Sequence, residues 1–114
     1  MDAPEQYGGK NNGPSPMEVL LASVGGCTGM DVVEILRKKQ QAVSGVEIRV
    51  EATRAETYPK IYTDIELIYL IRGKNISAAA VEEAIHLSET KYCSVSIMLG
   101  RAARVRTRYE IVSE

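Results

Sequence analysis

The stretch from Ser15 to about Gln41 constrains the fold more than any other part of the chain. Ser15-Pro16-Met17-Glu18 is a helix start. Serine is a preferred N-cap, proline suits the first helical position, and a glutamate three residues after the cap closes a capping box. The helix then carries Met17, Val19, Leu20, Leu21, Val24, Met30, Val32, Val33, Ile35 and Leu36, which together cover nearly every face. A helix apolar all round needs cover on all sides. Arg37, Lys38 and Lys39 close it, as suits the negative end of the helix dipole. A chain of 114 residues can hardly surround such a helix alone, so the pattern predicts a dimer.

The remaining elements follow from periodicity and punctuation. Residues 1–14 read as a loop, with Gly8, Gly9, Asn11, Asn12, Gly13 and Pro14 as turn formers. After Gly45, Val46, Ile48, Val50 and Ala52 alternate with Glu47, Arg49 and Glu51, the pattern of a half-buried strand. A turn at Thr57–Lys60 leads to a second strand with Ile61, Ile65, Leu67, Tyr69 and Ile71 inward, giving a hairpin over residues 46–71. A helical region over 77–100 has Val81, Ala84, Ile85 and Ser88 as its inner stripe. A last strand over 103–112 points Val105, Thr107, Tyr109 and Ile111 inward and Arg104, Arg106, Arg108 and Glu110 outward. The order α-β-β-α-(α)-β predicts a single α+β domain over 1–114, its long buried helix (15–41) packed on an antiparallel sheet.

Composition excludes several function classes. Lys+Arg 14 against Asp+Glu 15 gives a net charge of −1, without the basic excess of a general nucleic-acid binder. Six Tyr with no Phe and no Trp leave an aliphatic core and argue against a base-stacking platform. The sequence reading finds no run approaching the roughly 20 apolar residues of a membrane span. The polar, Gly/Pro-rich start has no signal-peptide pattern, so the expected location is the cytoplasm, where thiols stay reduced.

Two cysteines, Cys27 and Cys93, are 66 residues apart. With His86 the single histidine, they do not supply the four Cys or His ligands of a structural zinc site, so no metal and no cofactor is expected. Cys27 lies in Val24-Gly25-Gly26-Cys27-Thr28-Gly29. Each glycine within a helix costs about 1 kcal/mol relative to alanine, so three around one cysteine need a reason. Two readings stand: close helix–helix approach, with Cys27 a small buried hydrophobe, or an unobstructed sulfur open to substrate. Two distant cysteines can form a catalytic pair, in which one thiolate becomes a sulfenic acid and the other resolves it to a disulfide. Asp31, four residues after Cys27, shares its helical face and either orients a partner or raises the thiol pKa by like-charge repulsion. The Arg104/Arg106/Arg108 row reads as a solvated sheet face paired with acids such as Glu47 and Glu51, or as an anion site. His86 reads as a surface residue of its helix.

These motifs resemble those of a known family. Pro14-Ser15-Pro16-Met17-Glu18-Val19-Leu20-Leu21, running on to Gly26-Cys27, resembles the helix start of the OsmC/Ohr proteins, the osmotically inducible protein C and organic hydroperoxide resistance proteins. Ser88-Glu89-Thr90-Lys91-Tyr92-Cys93-Ser94-Val95 resembles the family's second cysteine motif, and Gly-Gly-Cys-Thr with Lys-Tyr-Cys-Ser-Val is similar to an OsmC-like branch. The resemblance covers residues 8–113. It implies an intertwined homodimer with sites at the subunit interface, and an N-terminal β-hairpin ahead of residue 1 that carries the family's catalytic arginine. It also implies thiol-dependent reduction of organic hydroperoxides in oxidative stress defence. Cys27 would be the peroxidatic thiol and Cys93 the resolving one, with a dithiol or lipoyl-protein as reductant. The family's catalytic glutamate falls on Met17, which leaves the neighbouring Glu18 and Asp31 as candidate supporting groups. The aliphatic Met17, Val24 and Met30 would favour an alkyl tail. The alternative is a non-catalytic OsmC-like dimer with a small apolar-ligand or redox-sensing pocket.

Overall fold

The computed structural model describes residues 1–114. The long helix is α1, Pro16–Lys38. Both halves of its capping box form: the Glu18 N–H donates to Ser15 Oγ at 3.2 Å, and the Ser15 N–H donates to Glu18 Oε1 at 3.0 Å. The helix stops three residues short of Gln41. Gln40 takes a left-handed conformation at φ 59. Its N–H donates to the Arg37 carbonyl and that of Gln41 to the Leu36 carbonyl, the paired bonds of a Schellman end. Glycine or asparagine usually marks that end, so nothing in the composition announced it.

Two long strands follow, β1 at Ala42–Arg54 and β2 at Tyr62–Lys74. They pair antiparallel, as the hairpin reading requires, with a register shift between Val43 and Gly45. Both extend beyond the expected 46–71, because Arg72-Gly73-Lys74 stays in the ladder and the turn falls at Asn75, in left-handed conformation at φ 51. Ile61 is half exposed and lies outside the strand. Tyr62 is buried in its place, donating to the Met17 carbonyl at 2.6 Å and tying β2 to the first turn of α1.

Helix α2, Ala78–Leu87, is capped by Ser77. A π-helical turn at Ser88–Tyr92 and the short α3, Ser94–Leu99, lead to strand β3, Arg104–Ser113. β3 pairs parallel to β2, so the sheet is mixed rather than wholly antiparallel, in the order β1-β2-β3. The reason is the helical crossover between β2 and β3. A long helical connection returns the chain to the starting end of the previous strand, and the next strand then runs the same way.

The core lies between the helices and one face of the sheet. Val24, Val32 and Leu36 of α1 and Val81, Ala84 and Ile85 of α2 pack with Ile65, Leu67, Tyr69 and Ile71 of β2. On the other sheet face Ile68 is buried too, flanked in register by Arg49 and Arg108, whose aliphatic stems can shield it. The arginine row lies on this solvated face. Its partners sit on β2 rather than β1: Arg108 meets Glu66 at 3.2 Å, while Glu47 of β1 faces Arg72 at 3.9 Å. β2 lies between β1 and β3, which puts Glu47 and Glu51 out of pairing with that row.

Within one chain, α1 is covered on one side only. Val24, Thr28, Val32 and Leu36 are buried, while Met30 is 76% exposed and Val33 46%. By length and composition α1 would also suffice to cross a membrane, contrary to the sequence reading that no such run exists. Here it packs on the sheet through the line Val24–Leu36.

Candidate functional site

Three elements bring the candidate residues together. Helix α1 projects Cys27 and Asp31 from the same face, one turn apart. The π-helical turn and the N-terminus of α3 place Cys93 opposite them. Both cysteines are free thiols, and the two sulfurs and the nearest Asp31 oxygen all lie within 4.8 Å of one another. Cys93 is fully buried, whereas Cys27 and Asp31 keep partial access to solvent. Of the four candidate residues, the fold brings Cys27, Cys93 and Asp31 together and leaves Glu18 apart.

Cys93 and Asp31 are each held by a neighbour. The Ser96 N–H donates to Cys93 Sγ at 3.3 Å, while Ser96 Oγ donates to the Cys93 carbonyl at 3.2 Å. The buried Ser88 hydroxyl donates to Asp31 Oδ2 at 3.0 Å. The site chemistry therefore depends on the irregular turn between α2 and α3, which supplies Ser88 and Cys93 together.

Burial pushes the Cys27 thiol above its ordinary value, and contact with Cys93 adds to this. The charges of Cys93 and Asp31 raise it further, against the backbone N–H of Val95, which favours the thiolate. Of the two roles open to Asp31, its charge takes the discouraging one. Glu18 lies elsewhere: it serves the helix cap, and that hydrogen bonding holds its carboxyl below the usual range. Nine residues of helix separate it from Cys27, about 13 Å along the axis. His86 is exposed on α2 and is not part of the Cys27–Asp31–Cys93 cluster. Met30 points outward into a groove of about 620 Å³ between α1 and β1, so it does not line the thiol site.

The glycines around Cys27 have a steric cause. A methyl group on Gly25 would sit 3.0 Å from Val50 Cγ2, and one on Gly29 would sit 2.9 Å from Ile48 Cδ1. Close approach is therefore the reason for two of the three, with strand β1 as the partner rather than a second helix. Gly26 has open space around it.

One residue beside the site escaped the sequence reading as a chemical group. Tyr69 on β2 is 0% exposed, and its hydroxyl has no hydrogen-bond partner. Thr28 favours the phenolate, while its own hydroxyl donates to the Gly25 carbonyl at 3.4 Å. Burial raises the phenol to about 12, with Glu89, Cys93 and Asp31 adding to the effect. Strand alternation shows that Tyr69 faces inward but says nothing about where its hydroxyl ends.

Residues 9–108 match the family model described as OsmC-like protein. The chain belongs to the OsmC-like family. It is 42% identical over 100 residues to protein YhfA of Escherichia coli K12, covering 88% of this chain and 75% of that protein. The crystal structure of a hypothetical protein from Aquifex aeolicus superposes with a TM-score of 0.86 at 39% identity, covering 91% of this chain and 78% of the other. An organic hydroperoxide resistance protein OsmC from Legionella pneumophila shares the fold at 13% identity, with a TM-score of 0.70 over 96% of this chain and 79% of its own. The OsmC-like fold expected from the two cysteine motifs is thus shown, with the mixed sheet described above.

Proposed function

We propose that this OsmC-like protein is a thiol-dependent peroxidase that reduces organic hydroperoxides through Cys27 and Cys93. The observation that carries the reading is the approach of both sulfurs and the Asp31 carboxylate to within 4.8 Å in a partly open site. The name of the Legionella protein of the same fold supports the choice of substrate class. In the first step the Cys27 thiolate attacks one peroxide oxygen. The O–O bond breaks, the alkoxide takes a proton from water and leaves as the alcohol, and Cys27 becomes a sulfenic acid. The Cys93 thiolate then attacks that sulfur, hydroxide leaves and is protonated to water, and an intramolecular disulfide remains. A small dithiol or lipoyl-protein returns the pair to thiols by two exchange steps, itself becoming a disulfide. The protein acts as a cytoplasmic homodimer in oxidative stress defence.

The test is consumption of an alkyl hydroperoxide with dihydrolipoamide as reductant, set against Cys27→Ser. Turnover well above the variant is expected, and turnover equal to it would sink the proposal. A second reading has an observation of its own. Burial, Cys93 and Asp31 all keep Cys27 protonated, as suits a non-catalytic member with a redox-sensing or small apolar-ligand pocket. Stoichiometric disulfide formation with no sustained turnover is the result that selects it.

A further inference from the structure

The donor count that argued against zinc considered only cysteine and histidine. The fold adds a third donor. Cys27, Cys93 and Asp31 offer two sulfurs and a carboxylate oxygen within 4.8 Å of one another. In a tetrahedral site with metal–sulfur bonds of about 2.3 Å, donor atoms stand roughly 3.5–3.8 Å apart. Small side-chain rotations close that gap, and two of the donors already share one helix face.

Two neighbours orient these groups. Asp31 Oδ2 accepts from the Ser88 hydroxyl at 3.0 Å, which fixes the carboxylate and leaves its other oxygen free. The Ser96 N–H donates to Cys93 Sγ at 3.3 Å, a bond that steadies a charged sulfur. Such outer partners orient metal ligands and tune their affinity. Two thiolates and a carboxylate crowded together repel one another, and a divalent cation removes that repulsion. Cys27 and Asp31 face the open side and give a path of entry.

We infer that Cys27, Cys93 and Asp31 form a binding site for a thiophilic divalent cation of the zinc class, with water completing the fourth position. The site uses the same sulfurs as the disulfide proposed above. Metal binding and disulfide formation therefore exclude each other, and the bound cation holds the pair reduced and inactive toward hydroperoxide.

The test uses the full chain, reduced and freed of metal by a chelator, titrated with Co²⁺ as a spectroscopic probe. One equivalent of Co²⁺ is expected, with a thiolate-to-cobalt charge-transfer band that Zn²⁺ abolishes by displacement. Cys27→Ser is expected to lose that band or weaken binding at least tenfold. Asp31→Asn, of the same shape, should also weaken binding at least tenfold with unchanged circular dichroism. Ser88→Ala, which removes only the support of the carboxylate, should weaken it about 10- to 100-fold. Absence of a charge-transfer band, or affinity unchanged by Cys27→Ser and Asp31→Asn, overturns the inference. The peroxidase reading is judged separately on the metal-free reduced protein: one equivalent of alkyl hydroperoxide, added before any Co²⁺, should form the disulfide and abolish later Co²⁺ binding. Full Co²⁺ binding through thiolates by protein that met peroxide while metal-free would leave the metal site standing and refute the peroxidase. A disulfide formed by a protein that never binds Co²⁺ would do the reverse.

Discussion

At Cys27 the environment opposes easy ionisation, because burial, Cys93 and Asp31 all act against the charged sulfur. The expected consequence is a pH profile of iodoacetamide alkylation whose midpoint lies above that of a free thiol. Cys93→Ala should bring the midpoint down more than Asp31→Asn, in the order in which their effects rank. A Cys27 midpoint below the free-thiol value would refute this. Tyr69 carries a second residue-scale prediction. Its folded pKa of about 12 lies above the unfolded value of 10.0, so the unfolded chain releases the proton first. The stability from keeping the phenol neutral is complete below pH 10 and is lost as pH rises from about 10 to 12, roughly 2–3 kcal/mol over that window. Tyr69→Phe should flatten this alkaline limb in urea unfolding. At neutral pH it should stabilise the fold by about 1 kcal/mol, since a buried hydroxyl without a partner is a net cost. A loss of stability at neutral pH would show that the hydroxyl has a partner. That Asp31 stands beside Cys27 was legible from helical spacing, and the approach of Cys93 was an expectation of the family resemblance that the geometry meets. Tyr69 was not legible, because its role depends on a missing hydrogen bond.

Among the elements, legibility followed local signals. The start of α1 was fixed by Ser15, Pro16 and Glu18 acting within a single turn, and Ser77 starts α2 in the same way. The end of α1 was missed because Gln40 adopts a left-handed conformation with no residue type to advertise it. The parallel pairing of β3 was missed because alternation reports which face a strand buries and not which direction it runs. The π-helical turn that carries Ser88 toward Asp31 leaves no periodic trace over five residues. The second strand was expected to end at Ile71, yet Gly73 stands within the ladder opposite Val43. There a side chain is excluded: a methyl group would lie 2.2 Å from the Ala42 carbonyl oxygen. Gly73→Ala should therefore destabilise the protein by about 2 kcal/mol or more in urea unfolding, because backbone atoms of β1 would have to move. Gly45→Ala, with nothing within 4 Å of the added methyl, is the control and should cost under about 1 kcal/mol. Equal effects at the two positions would show that β1 and β2 separate easily at that end.

For the whole molecule, the decisive quantity is how little one chain buries. A folded protein of 12.5 kDa should expose about 6,200 Å². This chain exposes 7387 Å² and buries only 19 of its residues. Its radius of gyration is 15.8 Å, where about 13 Å is usual for this length. The surplus surface, about 1,200 Å², is of the size one subunit contributes to a stable interface. Part of it is the outward face of α1, with Met30 and Val33 exposed beside the groove floored by Val46, Ile48 and Val50. A second copy of the chain is the proposed cover for this face, as the all-round apolar helix already suggested. The wild-type chain should then sediment at about twice 12.5 kDa at micromolar concentration. Met30→Glu tests the face directly. In a lone chain that side chain is in solvent and the change is nearly neutral, whereas at an interface it buries an unpaired charge that costs several kcal/mol. The variant should shift to the monomer or lose several degrees of Tm. A folded wild-type monomer whose stability ignores Met30→Glu would mean that the apolar face of α1 stays open to water.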